Sequence, residues 1–151
     1  MYIDIQVSML ANIALAAFLG GVIGFEREIA DKPAGLRTHM LVAATAALLV
    51  EMGVYTINLS GLPEAVRTDP IRIIEAVVVG ISFLGAGTIL KGRRGDEVEG
   101  LTTSASILAT AAVGISTGLK LFILGVGMTI LILFINRFMN ILEGWFHRRR
   151  G

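Results

Sequence analysis

The chain has 151 residues, of which 54% are hydrophobic and only 17% are charged, and its mean hydropathy is +0.76. A soluble domain of this size cannot bury so much apolar surface, so the composition excludes an ordinary soluble protein and predicts a membrane protein. The net charge of +1 excludes little, but a sequence without cysteine excludes disulfides, thiol nucleophiles and thiolate metal sites.

Five apolar segments follow one another along the sequence, separated by short polar or charged links. Each approaches the roughly 20 residues that a helix needs to cross a bilayer. Apolar residues occur on all sides of each segment, which favours helices over barrel strands. The predicted spans are 9–25, 40–57, 71–90, 101–119 and 121–139. We therefore expect an all-α fold, in which residues 1–151 form one domain, a bundle of five transmembrane helices.

The ends of two spans carry further information. Residues before Met9 include Asp4 but no Lys or Arg, so the basic region of a signal peptide is missing and span 1 is expected to be retained. Spans 4 and 5 are joined almost without a link, which predicts a tight helical hairpin.

The positive charges predict an orientation in the membrane. Ten of the thirteen Lys and Arg residues lie in the links after spans 1 and 3 or at the end of span 5 and in the tail, whereas Arg67, Arg72 and Lys120 lie at the opposite side. We therefore expect the N-terminus outside and the C-terminus in the cytoplasm. The final run 148–150 follows Trp145 and predicts an interfacial anchor on anionic lipid instead of a nucleic-acid arm.

Small residues recur every four positions in spans 1, 2 and 4, and glycines cluster in span 3. Such rows allow close helix packing in lipid, within one chain or between copies in a homodimer or higher homo-oligomer. The alternatives are a seam that lines a polar cavity and a break in span 3. The glycines predicted to pack are Gly20, Gly24, Gly80, Gly85, Gly87, Gly114 and Gly118.

Two carboxylates fall inside the apolar spans. Glu51 lies two-thirds along span 2, and Glu75 lies one turn into span 3. Because a charge in the hydrocarbon region of a membrane is costly, each of these residues is a candidate for a functional site. Glu75 has the alternative of an interfacial ion pair with Arg72. Asp69 precedes Pro70 and predicts a helix start, but with Glu51 and Glu75 it also forms a possible oxygen-ligand set for Mg²⁺ or Ca²⁺.

The link after span 1 carries mixed charge, from Glu26-Arg27-Glu28 to Arg37-Thr38-His39. Ion pairs between Arg37 and either Glu26 or Glu28 would hold spans 1 and 2 together. The alternative is that these charges form a docking surface for a partner.

Two partial motifs of catalysis fail. Gly80-Ile81-Ser82 begins like a nucleophile elbow, but Leu84 stands where the closing glycine belongs. Gly87 and Gly92 have the spacing of a phosphate-binding loop, but arginines follow in place of Lys and Ser or Thr. We therefore expect no enzymatic activity.

Several of these segments together resemble the MgtC/SapB family, in its order and spacing, over residues 9–118. They are Gly24-Phe-Glu-Arg-Glu28, Lys32-Pro-Ala-Gly-Leu-Arg-Thr-His-Met40, Asp69-Pro-x-Arg72, Gly80-Ile-x-Phe-Leu-Gly-Ala-Gly87 and Gly100-Leu-Thr-Thr103. The resemblance implies a multi-pass protein of the bacterial or archaeal cytoplasmic membrane, involved in adaptation to low magnesium and related stress. It also implies action on other membrane proteins, such as an ATP synthase or an ion transporter.

The sequence departs from the family pattern at three points. The family usually has glycine at the position of Ser82, and a small residue followed by glutamine at Glu75 and Ala76. A function for Glu75 is therefore not supported by the resemblance. Many members also carry a C-terminal domain of the ACT type, so we expect either a short member without that domain or a chain from which the domain has been removed.

These observations lead to one preferred function, one main alternative and the further option of a purely structural scaffold. The preferred function is binding of another membrane protein, with no cofactor required. The alternative is transport of a cation, such as Mg²⁺, or of a proton through the intramembrane carboxylates. The residues predicted to form the functional motif are Glu26, Arg27, Glu28, Arg37, Thr38, His39, Asp69, Arg72, Thr102 and Thr103.

Overall fold

The structure, a computed structural model, describes residues 2–59, 70–91 and 98–148. These ranges contain five helices and one pair of two-residue antiparallel strands. The elements are α1 (Tyr2–Ile29), α2 (Leu36–Leu59), α3 (Pro70–Thr88), β1 (Leu90–Lys91), β2 (Val98–Glu99), α4 (Leu101–Gly118) and α5 (Phe122–Arg148). The predicted all-α bundle is confirmed, while its orientation in the membrane stays a prediction.

The helices coincide with the predicted spans but are longer at several ends. Among the described residues, α1 to α4 are long and apolar enough to cross a membrane, and α5 is apolar over Phe122–Phe138. Helix α1 begins at Tyr2, seven residues before the predicted span. A hydrophobicity window finds only the apolar part of a helix, which can lie in lipid. The backbone hydrogen bonds of the helix itself continue through polar residues such as Asp4.

Helix α4 lies at the centre of the bundle. It packs against α1, α2, α3 and α5, and most of its residues are buried. Its sequence is rich in Ala, Gly, Ser and Thr, which let neighbouring backbones approach closely. Helix α3 lies at the edge, where its main neighbours are α2 and α4, and much of its surface is exposed.

Glycines create the closest contacts of α2. A Cβ atom on Gly20 of α1 would collide with the backbone carbonyl of His39, and one on Gly24 would lie 2.8 Å from the carbonyl oxygen of Gly35. On α4, a Cβ atom on Gly114 would collide with the carbonyl of Ala43. Helix α2 is therefore held between α1 and α4 at distances that only glycine permits.

The glycine cluster of span 3 does not break the helix. Helix α3 is continuous from Pro70 to Thr88, which excludes the broken-helix alternative. Gly85 lies against Ser104 of α4, whereas Gly80 and Gly87 have open space where a Cβ atom would stand. Within the ranges that the structure describes, therefore, only part of the glycine cluster contacts another helix.

The link between α4 and α5 is as short as the sequence predicts. Helix α4 ends at Gly118 and α5 begins at Phe122. The amide of Leu121 donates to the carbonyl of Ser116 at 2.8 Å, and Lys120 adopts a left-handed conformation with φ of 62°. The predicted tight hairpin is confirmed.

Candidate functional site

Glu51 is a buried carboxylate in the wall between α1 and α2. Its side chain is 3% exposed, and its Oε1 accepts a hydrogen bond of 2.6 Å from Nδ2 of Asn12. Its other oxygen, Oε2, is buried and has no hydrogen-bond partner among the residues that the structure describes. A buried polar atom without a partner is costly, so this oxygen marks an unmet interaction.

Glu51 lines a cavity of about 550 Å³ at the end of the bundle where α1 begins and α2 ends. The lining combines hydroxyl, amide, carboxylate and ammonium groups with apolar side chains. It consists of Asp4, Ile5, Ser8, Met9, Glu51, Val54, Tyr55, Asn58, Gly118 and Lys120. The sequence predicts this end to be the outer one.

Toward the opposite end, the interior is filled by small side chains. Ala16, Ala43 and Ala47 form one cluster and have no exposed surface. Ala16 follows Asn12 by four residues on α1, and Ala43 and Ala47 precede Glu51 at the same spacing on α2. Each set therefore lies on one side of its helix. This cluster packs the contact of α1 with α2 between the cavity and the far end of the bundle.

His39 lies at the far end of the bundle and is fully buried. Its Nδ1 lies 2.9 Å from the carbonyl oxygen of Gly35, so Nδ1 carries the proton and donates. Its Nε2 lies 3.1 Å from Oγ of Ser106, and in the neutral ring it accepts the serine hydroxyl. His39 thereby links α2 to α4 by a hydrogen bond inside the bundle.

A second polar contact at this end joins α1 to α5. Arg27 is 2% exposed, and its Nε and Nη2 donate to the two carboxylate oxygens of Glu26 at 2.6 and 2.8 Å. Asn136 of α5 donates to the same carboxylate at 3.1 Å. The pairing of a buried charge with a bidentate partner is the arrangement that makes its burial tolerable.

Glu28 and Arg37 do not form the predicted ion pair. The carboxylate of Glu28 accepts the backbone amide of Leu36 at 2.8 Å, and so caps the start of α2. Arg37 is exposed, and the partner of Glu26 is Arg27. The predicted ion pair is wrong because an unpaired amide at a helix start competes for the carboxylate.

The three predicted metal ligands do not share one environment. Glu51 is buried at the cavity, whereas Glu75 is exposed on α3 and is not among the lining residues. Asp69 lies outside the described residues. Within residues 2–59, 70–91 and 98–148, no group of three His, Cys, Asp or Glu residues is placed to hold a metal ion.

The remaining predicted motif residues are divided between the surface and the interior. Thr38, Arg72 and Thr102 are exposed. Thr103 is 3% exposed, on the buried face of α4. Their roles stay predictions.

Sequence reasoning missed three partners of the buried polar groups: Asn12, Ser106 and Asn136. A signal for two of them is present in the sequence. Asn12 continues the glycine row of α1, and Ser106 belongs to the small-residue row of α4. A polar residue within a packing row is expected to meet another polar group across the contact.

Comparison with known proteins identifies the family. A sequence profile described as the MgtC family matches residues 13–145. The chain is 41% identical over 125 residues to the Escherichia coli K12 protein named "Putative magnesium transporter YhiD", and the match covers 81% of this chain and 57% of that protein. It is 40% identical over 130 residues to MgtC of Brucella abortus, covering 86% of this chain and 50% of that protein.

SapB of Bacillus subtilis is 35% identical over 117 residues, covering 78% of this chain and 49% of that protein. The chain thus spans about half the length of the curated relatives it matches. No solved structure matches it. Because the profile covers most of the sequence and the relatives agree with it, the chain belongs to the MgtC family.

Proposed function

We propose that this chain is a non-enzymatic membrane protein of magnesium-related stress adaptation, and that it acts by binding another membrane protein. The family and the name of the relative YhiD support the link to magnesium. The observation that supports partner binding is the uncovered face of α3.

That face has the composition of a helix contact, but none of the other described residues covers it. Gly20, Gly24 and Gly114 all meet another helix, whereas Gly80 and Gly87 of α3 face open space. These two glycines are seven residues apart and so lie on one side of the helix. Their exposed neighbour Phe83 is 83% accessible. In lipid, glycines of this kind favour close approach of a second helix, which argues for a partner at this face.

Transport of a cation or proton is the second candidate. It is favoured by the buried Glu51, whose Oε2 has no partner. The fully buried cluster of Ala16, Ala43 and Ala47 fills the contact between α1 and α2 beyond the cavity, which argues against a path between these two helices. Partner binding is therefore preferred.

Site-specific photocrosslinking in native membranes tests the preferred function. A photoreactive residue is placed at Phe83 and, as a control, at Ile123 of α5, which is 92% exposed. We expect an adduct with one discrete protein from position 83 that is absent from position 123. Gly80→Leu should abolish that adduct and impair growth at low magnesium.

Equal adducts from both positions would contradict a specific α3 contact. An adduct at twice the mass of the chain would assign the face to a homodimer instead. The transport candidate is tested separately, by measuring Mg²⁺ and proton flux into liposomes that contain the purified, folded protein. Flux that is lost in Glu51→Gln would establish transport and reduce partner binding to a regulatory role.

A further inference from the structure

We infer that the cavity beside Glu51 is a binding site for a hydrated divalent metal cation, with Glu51 and Asp4 as its carboxylates. The site differs from the metal ligands predicted from the sequence, since its second carboxylate comes from α1. It does not depend on the proposed partner binding, and it does not require that the ion crosses the membrane.

The first argument is the unmet oxygen of Glu51. Among the described residues its carboxylate receives one hydrogen bond, from Asn12, and Oε2 is buried without a partner. As a carboxylate it lacks a donor or cation, and as a neutral acid it lacks an acceptor for its proton. Because the last torsion of a glutamate side chain is soft, a cation in the cavity can draw this oxygen to itself at little cost.

The second argument is the chemistry of the cavity wall. Asp4, Ser8 and Asn12 follow one another at spacing four, so they lie on one side of α1. Asp4 and Ser8 line the cavity together with Glu51 and Asn58 of α2. Carboxylate, hydroxyl and amide oxygens are the ligands that hard divalent cations prefer.

The third argument is size. Mg²⁺ gives up its water reluctantly and is usually bound through one or two carboxylates with several waters retained. Six waters occupy roughly 180 Å³ at the volume that water has in the liquid. The cavity of about 550 Å³ therefore accommodates an ion with its water shell between the two helices.

Lys120 places a positive charge beside the two carboxylates, so its removal should have the opposite effect on cation binding to the removal of a carboxylate. It lies in the α4–α5 link and lines the same cavity. Its ammonium group offsets one of the two carboxylates and repels a metal cation. The site is therefore expected to bind divalent ions weakly, and removal of this charge is expected to strengthen binding.

Equilibrium binding of Mn²⁺ to the purified chain in phosphatidylcholine nanodiscs tests the inference. The free ion is measured by its electron paramagnetic resonance signal, with empty nanodiscs as the blank. We expect saturable binding of one Mn²⁺ per chain, displaced by MgCl2 but not by NaCl at equal ionic strength. Glu51→Gln and Asp4→Asn should abolish binding, and Lys120→Gln should tighten it several-fold.

Glu75→Gln is the matched control, because it removes an exposed carboxylate of α3 outside the cavity. It should bind like the unaltered chain. Equal binding by Glu51→Gln, equal loss in Glu75→Gln, or displacement by NaCl would each overturn the assignment. If Glu51→Gln does not fold, Lys120→Gln decides the question, since unchanged affinity there places any bound ion elsewhere.

Discussion

Nδ2 of Asn12 lies 2.6 Å from Oε1 of Glu51, and this hydrogen bond joins α1 to α2 across 39 residues of sequence. It is the polar counterpart of the glycine contacts farther along the same two helices. The amide satisfies one carboxylate oxygen and leaves the other without a partner. The pair therefore links the two helices and leaves one buried carboxylate oxygen beside the cavity without a hydrogen-bond partner among the described residues.

Asn12→Leu alone should destabilise the protein more than the double change Asn12→Leu with Glu51→Leu. The single change leaves the whole carboxylate buried without a partner, which costs about 1–3 kcal/mol or more. The double change removes both polar groups and keeps apolar volume. The free energy of unfolding in mixed detergent micelles measures the difference, and a double variant less stable than the single one would contradict this view.

Gly114→Ala should lower the free energy of unfolding by about 1–3 kcal/mol, because the new methyl group collides with the carbonyl of Ala43 and separates α4 from α2. Gly127→Ala is the control, since that glycine of α5 has open space around the position of a Cβ atom. It should be neutral or slightly stabilising, as alanine favours a helix over glycine. The same loss in both variants would show that backbone propensity and not helix contact sets the cost.

His39 and Ser106 should show a favourable coupling in a double-mutant cycle that uses His39→Leu and Ser106→Ala. Hydrogen bonds between transmembrane helices are typically worth about 0.6 kcal/mol and reach about 1.7 kcal/mol. The coupling of this fully buried pair should lie in that range. Unfolding free energies of the four proteins give the value, and additive losses would mean that the bond contributes nothing to stability.

Glu28→Ala should destabilise α2 by about 0.5–2 kcal/mol, because it removes the acceptor for the amide of Leu36. Arg37→Ala should leave stability unchanged, since this side chain is exposed. The exchanged pair Glu28→Arg with Arg37→Glu should not recover what Glu28→Arg loses. Recovery in that exchanged pair, measured by thermal unfolding, would restore the ion pair first expected from the sequence.

The fold was predictable because its signals are local. Span length and hydrophobicity mark each helix without knowledge of its neighbours, and the short link around Lys120 permits only a tight hairpin. Helix ends were less predictable, since α1 continues to Tyr2 through residues that an apolar window rejects.

The polar contacts were not predictable from the sequence, because they depend on how each helix is rotated and which helix it meets. Glu51 and Glu75 belong to the same class in the sequence, yet one is buried and the other is exposed. Glu26 is bound by Asn136, 110 residues away, and no local pattern relates them. Charge complementarity suggested Arg37 as the partner of Glu28, but the nearby amide of Leu36 takes that place.

The central place of α4 also constrains the order in which the chain can assemble during synthesis. Helices α1 and α2 can pair as soon as both have left the ribosome, since their contact needs no later segment. The hydrogen bond between His39 and Ser106 can form only later, because Ser106 is synthesised 67 residues after His39. Until α4 is in place, the buried ring lacks this partner, so a bundle of the first three helices leaves the imidazole Nε2 without the hydrogen bond that it has in the folded protein.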